Sequence, residues 1–256
     1  MGKTTGSAAP QPSAIKRILI THPAPPDETS PYHQLAKEFK LKFDFQPFIE
    51  IQGIATPEFR KQNINPLDFS SIIFTSKVSV DHFFRICKDL RVEMPPDTKY
   101  FCVSDATAKY LQKYITIRKR KLYVGQKSTT DLIDVVKKHA TEKFLFPAGE
   151  QPHSDLTDFM LAQGYGLQFA YVYQTIHVNL RHLKLGSYQM LCFFSPGSID
   201  ALCSNHPDFT QGDTLVAVFG SATALAAEAA GLRVDIRVPQ KDIPSMTMAI
   251  EHYLRG

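Results

Sequence analysis

Short apolar runs rich in β-branched and aromatic residues alternate with stretches whose apolar positions recur every three or four residues. The runs at 17–21, 71–74, 99–103, 121–124, 143–146, 167–173, 190–194, 215–219 and 233–238 read as strands. The stretches at 78–89, 106–114, 130–139, 155–163, 222–230 and 243–254 read as amphipathic helices between them. Strands that are apolar throughout, each followed by a helix, predict parallel sheets covered on both faces.

Two stretches depart from this rhythm. FDFQPFIEI at 43–51 is extended and alternating, interrupted by Pro47, with no helix pattern closely before it. YVYQTIHV at 171–178 runs past the usual length of a strand. Both flank the central part of the chain and are expected to be two strands crossing between domains. An internal repeat supports the division. IIFTSKVSVD at 72–81 matches LCFFSPGSID at 191–200 in Phe74/Phe193, Ser76/Ser195, Ser79/Ser198 and Asp81/Asp200. SDATAKYL at 104–111 and GSATALAA at 220–227 share an Ala-Thr-Ala core. Two motifs recurring in the same order at nearly the same offset point to duplicated halves. The expected fold is therefore α/β, with two similar domains, each a parallel sheet flanked by helices, joined by a two-stranded linker. Residues 14–45 plus 176–256 would form a discontinuous domain and 49–170 an inserted one. Linker strands would lie at about 43–50 and 171–178, and 1–13 would be a disordered N-terminal tail.

Each repeat ends an apolar strand and opens a helix with a hydroxyl residue at Thr75-Ser76, Ala106-Thr107, Ser195-Pro196 and Ala222-Thr223. In open parallel sheets the carboxyl ends of strands face the ligand crevice. Helix N-termini there present unpaired N–H groups and partial positive charge, which suits anions. Ordinary N-capping by Ser and Thr explains the same pattern, and the spacing alone leaves both readings open. In YVYQT, Tyr171 and Tyr173 share one face and Val172 the other. Tyr173 is thus either a cleft-facing hydroxyl or an aromatic anchor at the crossing.

Other candidates are weaker. Gly2–Thr4 lacks the glycine and strand of a phosphate loop. Arg118, Lys119, Arg120 and Lys121 form a basic run that a solvated turn explains. His177 and His182 lack metal-ligand spacing, so no metal site is expected. There is no GxSxG elbow.

Charge adds little. Lys and Arg number 29 against 25 Asp and Glu, a formal +4, which gives no reason to expect nucleic acid and suits an acidic small ligand equally well. With 43% hydrophobic residues the chain is neither disordered nor collagen-like. The opening MGKTTGSAAPQPS has no apolar run, and Gly6 stands where a myristoylation motif needs Ser or Thr. No stretch approaches a membrane span. Cys87, Cys102, Cys192 and Cys203 show no CxxC spacing and read as reduced core residues, so a cytoplasmic protein is expected.

Taken in order, RILITHP, IIFTSKVSVDHFF, FCVSDATAKYL, KFLFPAGEQPHSDLTDFMLAQGY leading into VYQT, FFSPGSIDAL and VAVFGSATALAAEAAG resemble the uroporphyrinogen-III synthase family from about Arg17 onward. His22 stands where many members carry Arg, and Ser104 replaces a usual Gly. The resemblance implies two α/β domains with the active site in the cleft between them. It implies dehydration and cyclisation of the linear tetrapyrrole hydroxymethylbilane to uroporphyrinogen III, with inversion of ring D through a spiro-pyrrolenine intermediate. No metal or organic cofactor is implied. By residue matching, Tyr173 would assist loss of the hydroxyl or orient ring D. Thr75, Ser76, Thr107, Ser195, Ser221 and Thr223 would bind the substrate carboxylates, largely through backbone N–H groups. A monomer with a small-molecule substrate and neither nucleic acid nor membrane as partner is expected. The rival expectation is a non-catalytic two-domain α/β protein binding an acidic small molecule.

Overall fold

The computed structural model describes residues 15–27, 29–116, 118–125, 130–149 and 154–256, apart from the side chain of Lys119. The expected tail at 1–13 lies outside the described residues. The chain divides into two compact units, one ending at Glu50 and resuming over Ile176–Gly256, the other Ile51–Thr175.

In chain order, β1 (Arg17–Ile20), α1 (Pro31–Phe39) and β2 (Lys42–Phe45) are followed by β3 (Ile49–Gly53), which crosses the division. The inserted unit continues through α2 (Thr56–Arg60), β4 (Ser71–Phe74), α3 (Lys77–Leu90), β5 (Lys99–Cys102), α4 (Asp105–Leu111) and β6 (Leu122–Val124). It ends with α5 (Ile133–Lys137), β7 (Lys143–Ala148), α6 (Asp155–Ala162) and β8 (Gly166–Tyr171). Strand β9 (Tyr173–His177) crosses back, and β10 (Met190–Phe193), α7 (Pro196–Asn205), β11 (Leu215–Phe219), α8 (Ser221–Ala229), β12 (Ile236–Val238) and α9 (Met246–Arg255) complete the first unit.

The first unit's sheet runs β12-β11-β10-β1-β2 and the inserted unit's runs β6-β5-β4-β7-β8, both fully parallel. Strands β3 and β9 form a separate two-stranded sheet.

Alternation along each strand feeds two cores per unit. In the first unit, Ile18, Ile20, Met190 and Cys192 pack with Tyr32 and Leu35 of α1 and Ala249 and Ile250 of α9. Leu19, Leu191, Phe193 and Val218 pack instead with Ile199 and Leu202 of α7 and Ala224 and Ala227 of α8. In the inserted unit, Ile72, Phe74 and Cys102 meet Val80, Phe83, Ile86 and Cys87 of α3. Ile73, Phe101, Phe144 and Phe146 meet Val136 of α5 and Leu156 and Met160 of α6. Each fully buried Leu, Ile or Phe contributes about 1.5–3 kcal/mol, so these four layers hold the helices against the sheets.

Local differences from the sequence reading have identifiable causes. Helix α1 stands directly before β2, a correction to the sequence reading: Tyr32, Leu35, Ala36 and Phe39 recur at helical spacing and turn Tyr32 and Leu35 into the core, with Phe39 packed against it. The extended 43–51 segment is two strands rather than one. Gln46 N–H donates to Ile20 O at 3.0 Å as the last bond of the first sheet, and Pro47, with no N–H, ends that ladder before β3. The 167–173 run likewise splits at buried Val172, whose N–H donates to Ala148 O (2.9 Å) while its carbonyl accepts from Ile54 N (3.0 Å). Cys87, Cys102 and Cys192 are buried free thiols, but Cys203 is exposed rather than in the core.

Candidate functional site

Four helices that follow sheet strands begin the same way, and a fifth shares only the hydroxyl in its third position. Ser76, Ser104, Ser154 and Ser195 cap α3, α4, α6 and α7, each Oγ accepting from the backbone N–H three residues on, at 3.1–3.3 Å. That third residue is itself a hydroxyl, namely Ser79, Thr107, Thr157 or Ser198. Ser79 and Ser198 donate back to the cap carbonyl at 2.8 and 2.6 Å, and Thr157 does so at 3.0 Å. The fifth, α8, is capped by Gly220 with φ 88° and no side-chain bond, with Thr223 in the third position. Such caps satisfy one of the orphan donors at each helix start, and the earliest N–H groups of the turn have no carbonyl within the helix to bond.

This arrangement sorts the sequence candidates. Thr75 and Ser76 are half-buried and follow β4 directly, and Ser195 follows β10. Ser221 is exposed in the first turn of α8. Thr107 and Thr223 are only 3% and 2% exposed. Thr107 Oγ1 lies 3.2 Å from Ser104 Oγ, so its hydroxyl serves its own helix start. The fold thus gathers Thr75, Ser76 and Thr107 at the carboxyl ends of adjacent β4 and β5. It gathers Ser195, Ser221 and Thr223 at those of adjacent β10 and β11. The basic run is only partly described, with Lys121 Nζ 3.3 Å from Asp97 Oδ1.

Strand order narrows the location further. A doubly wound sheet opens a crevice where its order reverses. In the inserted unit the reversal falls between β4 and β7, in the first unit between β1 and β10. Thr75, Ser76 and Gly149 therefore border the first crevice, and Thr21, His22 and Ser195 the second. Thr21 Oγ1 donates to Cys192 O at 2.9 Å, tying the two strands that flank the crevice.

Tyr173 lies at the β4/β7 reversal. Its ring covers Gly149, the residue immediately after β7, so closely that a Cβ there would lie within 2.8 Å of Tyr173 Cδ2. The His82 ring of α3 sits 5.5 Å from the Tyr173 ring, centroid to centroid. Arg85, one turn on, reaches His82 Nδ1 at 3.4 Å, Ile54 O at 2.7 Å and Val172 O at 3.1 Å. Its guanidinium thus pins the backbone on either side of the crossing strands to α3. Gly53 completes the packing, since a Cβ there would meet His82 Nδ1 and Arg85 Nε at 2.8 and 2.9 Å. Burial first, then the Arg85 charge, hold the His82 imidazole below its ordinary pKa against the opposing pull of Asp81. A neutral imidazole beside a phenol, on a rigid helix, suits proton handling or orientation of a polar leaving group.

Sequence reasoning missed His82, Arg85, Gly53 and Gly149. The available signal was the pairing of His82 with Arg85 three residues apart, which places them together along one flank of a helix whose core stripe is Val80, Phe83 and Ile86. Among the described residues, no group of three or more His, Cys, Asp or Glu is placed to hold a metal ion. No described helix is long and apolar enough to cross a membrane.

A family model described as uroporphyrinogen-III synthase HemD matches residues 30–248. Among solved structures, a mutant uroporphyrinogen III synthase from Thermus thermophilus is similar with a TM-score of 0.58 and 15% identity, over 94% of this chain and 99% of that one. Uroporphyrinogen-III synthetase from Helicobacter pylori is similar with a TM-score of 0.57 and 18% identity, again over 94% and 99%. At such identities the structures speak for the fold. No curated protein matches the chain.

Proposed function

The chain belongs to the uroporphyrinogen-III synthase family, and from that premise we propose that it directs hydroxymethylbilane to uroporphyrinogen III chiefly by holding the chain of pyrroles in a reactive fold. The family is an enzyme family of haem biosynthesis. Its reaction expels water from the bilane, closes the macrocycle and inverts ring D. Left alone, the bilane closes to the uninverted isomer, so the protein's task is to make one geometry prevail, and positioning supplies most of that.

The position of Tyr173 at the β4/β7 reversal, over Gly149 and beside His82, carries this reading. The departing hydroxyl needs a proton to leave as water, and the Tyr173 phenol is the group assigned to supply or direct it. His82 and Arg85 keep that phenol and its strand in place. The substrate's acetate and propionate arms fall to the helix starts after β4, β5, β10 and β11. There the first-turn N–H groups of α3, α4, α7 and α8 do more than the hydroxyls of Thr75, Ser76, Thr107, Ser195, Ser221 and Thr223. Thr107 and Thr223 act through the caps they build. The protein is proposed to work as a monomer in the cytoplasm, without nucleic acid, in keeping with four free cysteines.

The test generates hydroxymethylbilane in situ, adds the protein, oxidises the products and resolves the porphyrin isomers. Type III product is expected. Type I alone, alongside measurable porphyrin binding, would make the protein a binder without catalysis.

A further inference from the structure

At the carboxyl edge of the first unit's sheet lies an open cavity of about 400 Å³, lined by Pro31, Tyr32, Phe194, Phe219, Pro244 and Met246 together with the hydroxyl residues Ser245 and Thr247. We infer that this cavity receives the flat face of one pyrrole ring of the tetrapyrrole, which deepens and rests on the reading above.

Phe219 ends β11 and is 36% exposed, although the four strand residues before it are buried. A large apolar ring left in water at the end of an otherwise sealed strand is available to a ligand. Its plane lies 21° from that of Phe194, with centroids 6.2 Å apart, so the two rings form one continuous aromatic wall. His22, at the β1/β10 reversal, meets Phe194 edge-on with ring centroids 4.4 Å apart. Tyr32 and Met246 belong to the unit's core, so the floor is rigid. Also in the lining, Ser245 caps the ten-residue α9 and its Oγ lies 3.1 Å from Thr247 Oγ1.

The occupant follows from this largely aromatic and apolar lining. Aromatic walls favour a flat π-system, whose faces and edges they contact. Apart from Tyr32, Ser245 and Thr247 the lining carries no polar side chain, so the ring body lies against the aromatic residues and its charged arms stay at the open mouth. A pyrrole carrying acetate and propionate has that form. A cavity of this volume is at the small end of ligand sites, suited to one ring with its arms and not to a closed macrocycle.

The experiment labels methionine methyl groups with carbon-13 and titrates the full-length protein with a monopyrrole carrying one acetate and one propionate arm. The Met246 signal is expected to shift, and Phe219→Ala to abolish that shift while leaving the circular dichroism spectrum and Tm near wild type. In turnover, Phe219→Ala is expected to raise KM roughly tenfold and leave kcat within about threefold, the scale of one lost aromatic contact and its buried area. A Phe219→Leu variant should recover part of the KM, and Phe219→Tyr most of it.

An unmoved Met246 signal together with an unchanged KM overturns the subsite even where the wild type makes type III product. A shift produced by a straight-chain fatty acid and not by the monopyrrole overturns it in favour of an acyl chain. If the wild type yields only type I, the proposed function fails on that result. The subsite then stands or falls on the Met246 shift and its loss in Phe219→Ala.

Discussion

The ring of Tyr173 fills the space that a side chain at Gly149 would need. Glycine is required there by a neighbour twenty-four positions away in the chain and across the end of β7, not by backbone conformation. Gly149→Ala must displace the ring, and a shift of about 1 Å in a catalytic group can cost about a hundredfold in rate. The expected outcome is a kcat reduced by ten- to a hundredfold, roughly, with a modest fall in Tm. A kcat equal to wild type would show that Tyr173 is not held for catalysis.

Tyr173→Phe keeps the ring over Gly149 and removes only the hydroxyl. Turnover should fall by about a hundredfold or more, the lower range for a positioned proton donor, with Tm within about 2 °C of wild type. Steady-state rates and thermal melts on the same preparation check both parts. Unchanged turnover would remove the phenol from the mechanism and leave the ring as a wall.

Cap serines and first-turn serines separate stability from binding. Ser76→Ala removes an Oγ that accepts from Ser79 N at 3.1 Å, and the expected loss is about 1 kcal/mol of stability. Ser221 is exposed and caps nothing with its side chain, so Ser221→Ala should change stability by less than about 0.5 kcal/mol. If the backbone holds the carboxylates, Ser221→Ala also changes KM by less than about threefold. Urea unfolding and initial rates distinguish these outcomes, and a tenfold KM effect at Ser221 would shift the binding role to its hydroxyl.

His82 makes the fold sensitive to mild acid. Its pKa is lowered by burial and by Arg85, with Asp81 opposing; His139 is lowered by burial and by Lys99 in the same unit. The unfolded chain binds these protons near the ordinary value of about 6.5, the folded one only at lower pH. Stability is therefore undiminished above about pH 6.5, declines as pH drops below it, and levels off beneath the folded pKa values. The urea midpoint should fall between about pH 6.5 and pH 5, and His82→Gln should flatten that slope. A midpoint with equal slope in the variant would assign the effect to His139.

The alternating architecture was legible because strand residues such as Ile72–Phe74 and Leu191–Phe193 are buried on both faces and so appear as unbroken apolar runs. The helix starts were legible too, since a Ser followed three places later by Ser or Thr is a local, reciprocal pattern. Its meaning was not, because a buried Thr107 and an exposed Ser221 look alike on paper. What Arg85 holds was not legible for a different reason, although its spacing from His82 was. Its partners, Ile54 O and Val172 O, lie 31 and 87 positions away and are backbone atoms that any residue type provides. Helix α1 was legible but passed over: Tyr32, Leu35, Ala36 and Phe39 recur at helical spacing after Pro31, and the run lies in a stretch read only as leading into an extended segment.

The side-by-side pairing of β3 with β9, where Gln174 Nε2 donates to Gln52 Oε1 at 3.1 Å, has a consequence for biosynthesis. Everything the inserted lobe needs is present once Thr175 has left the ribosome. By contrast β1, made first, must wait for its neighbour β10, some 170 residues later. The middle of the nascent polypeptide is therefore complete first, while β1 and β2, which have each other as neighbours, wait for β10 to join them to the rest of their sheet.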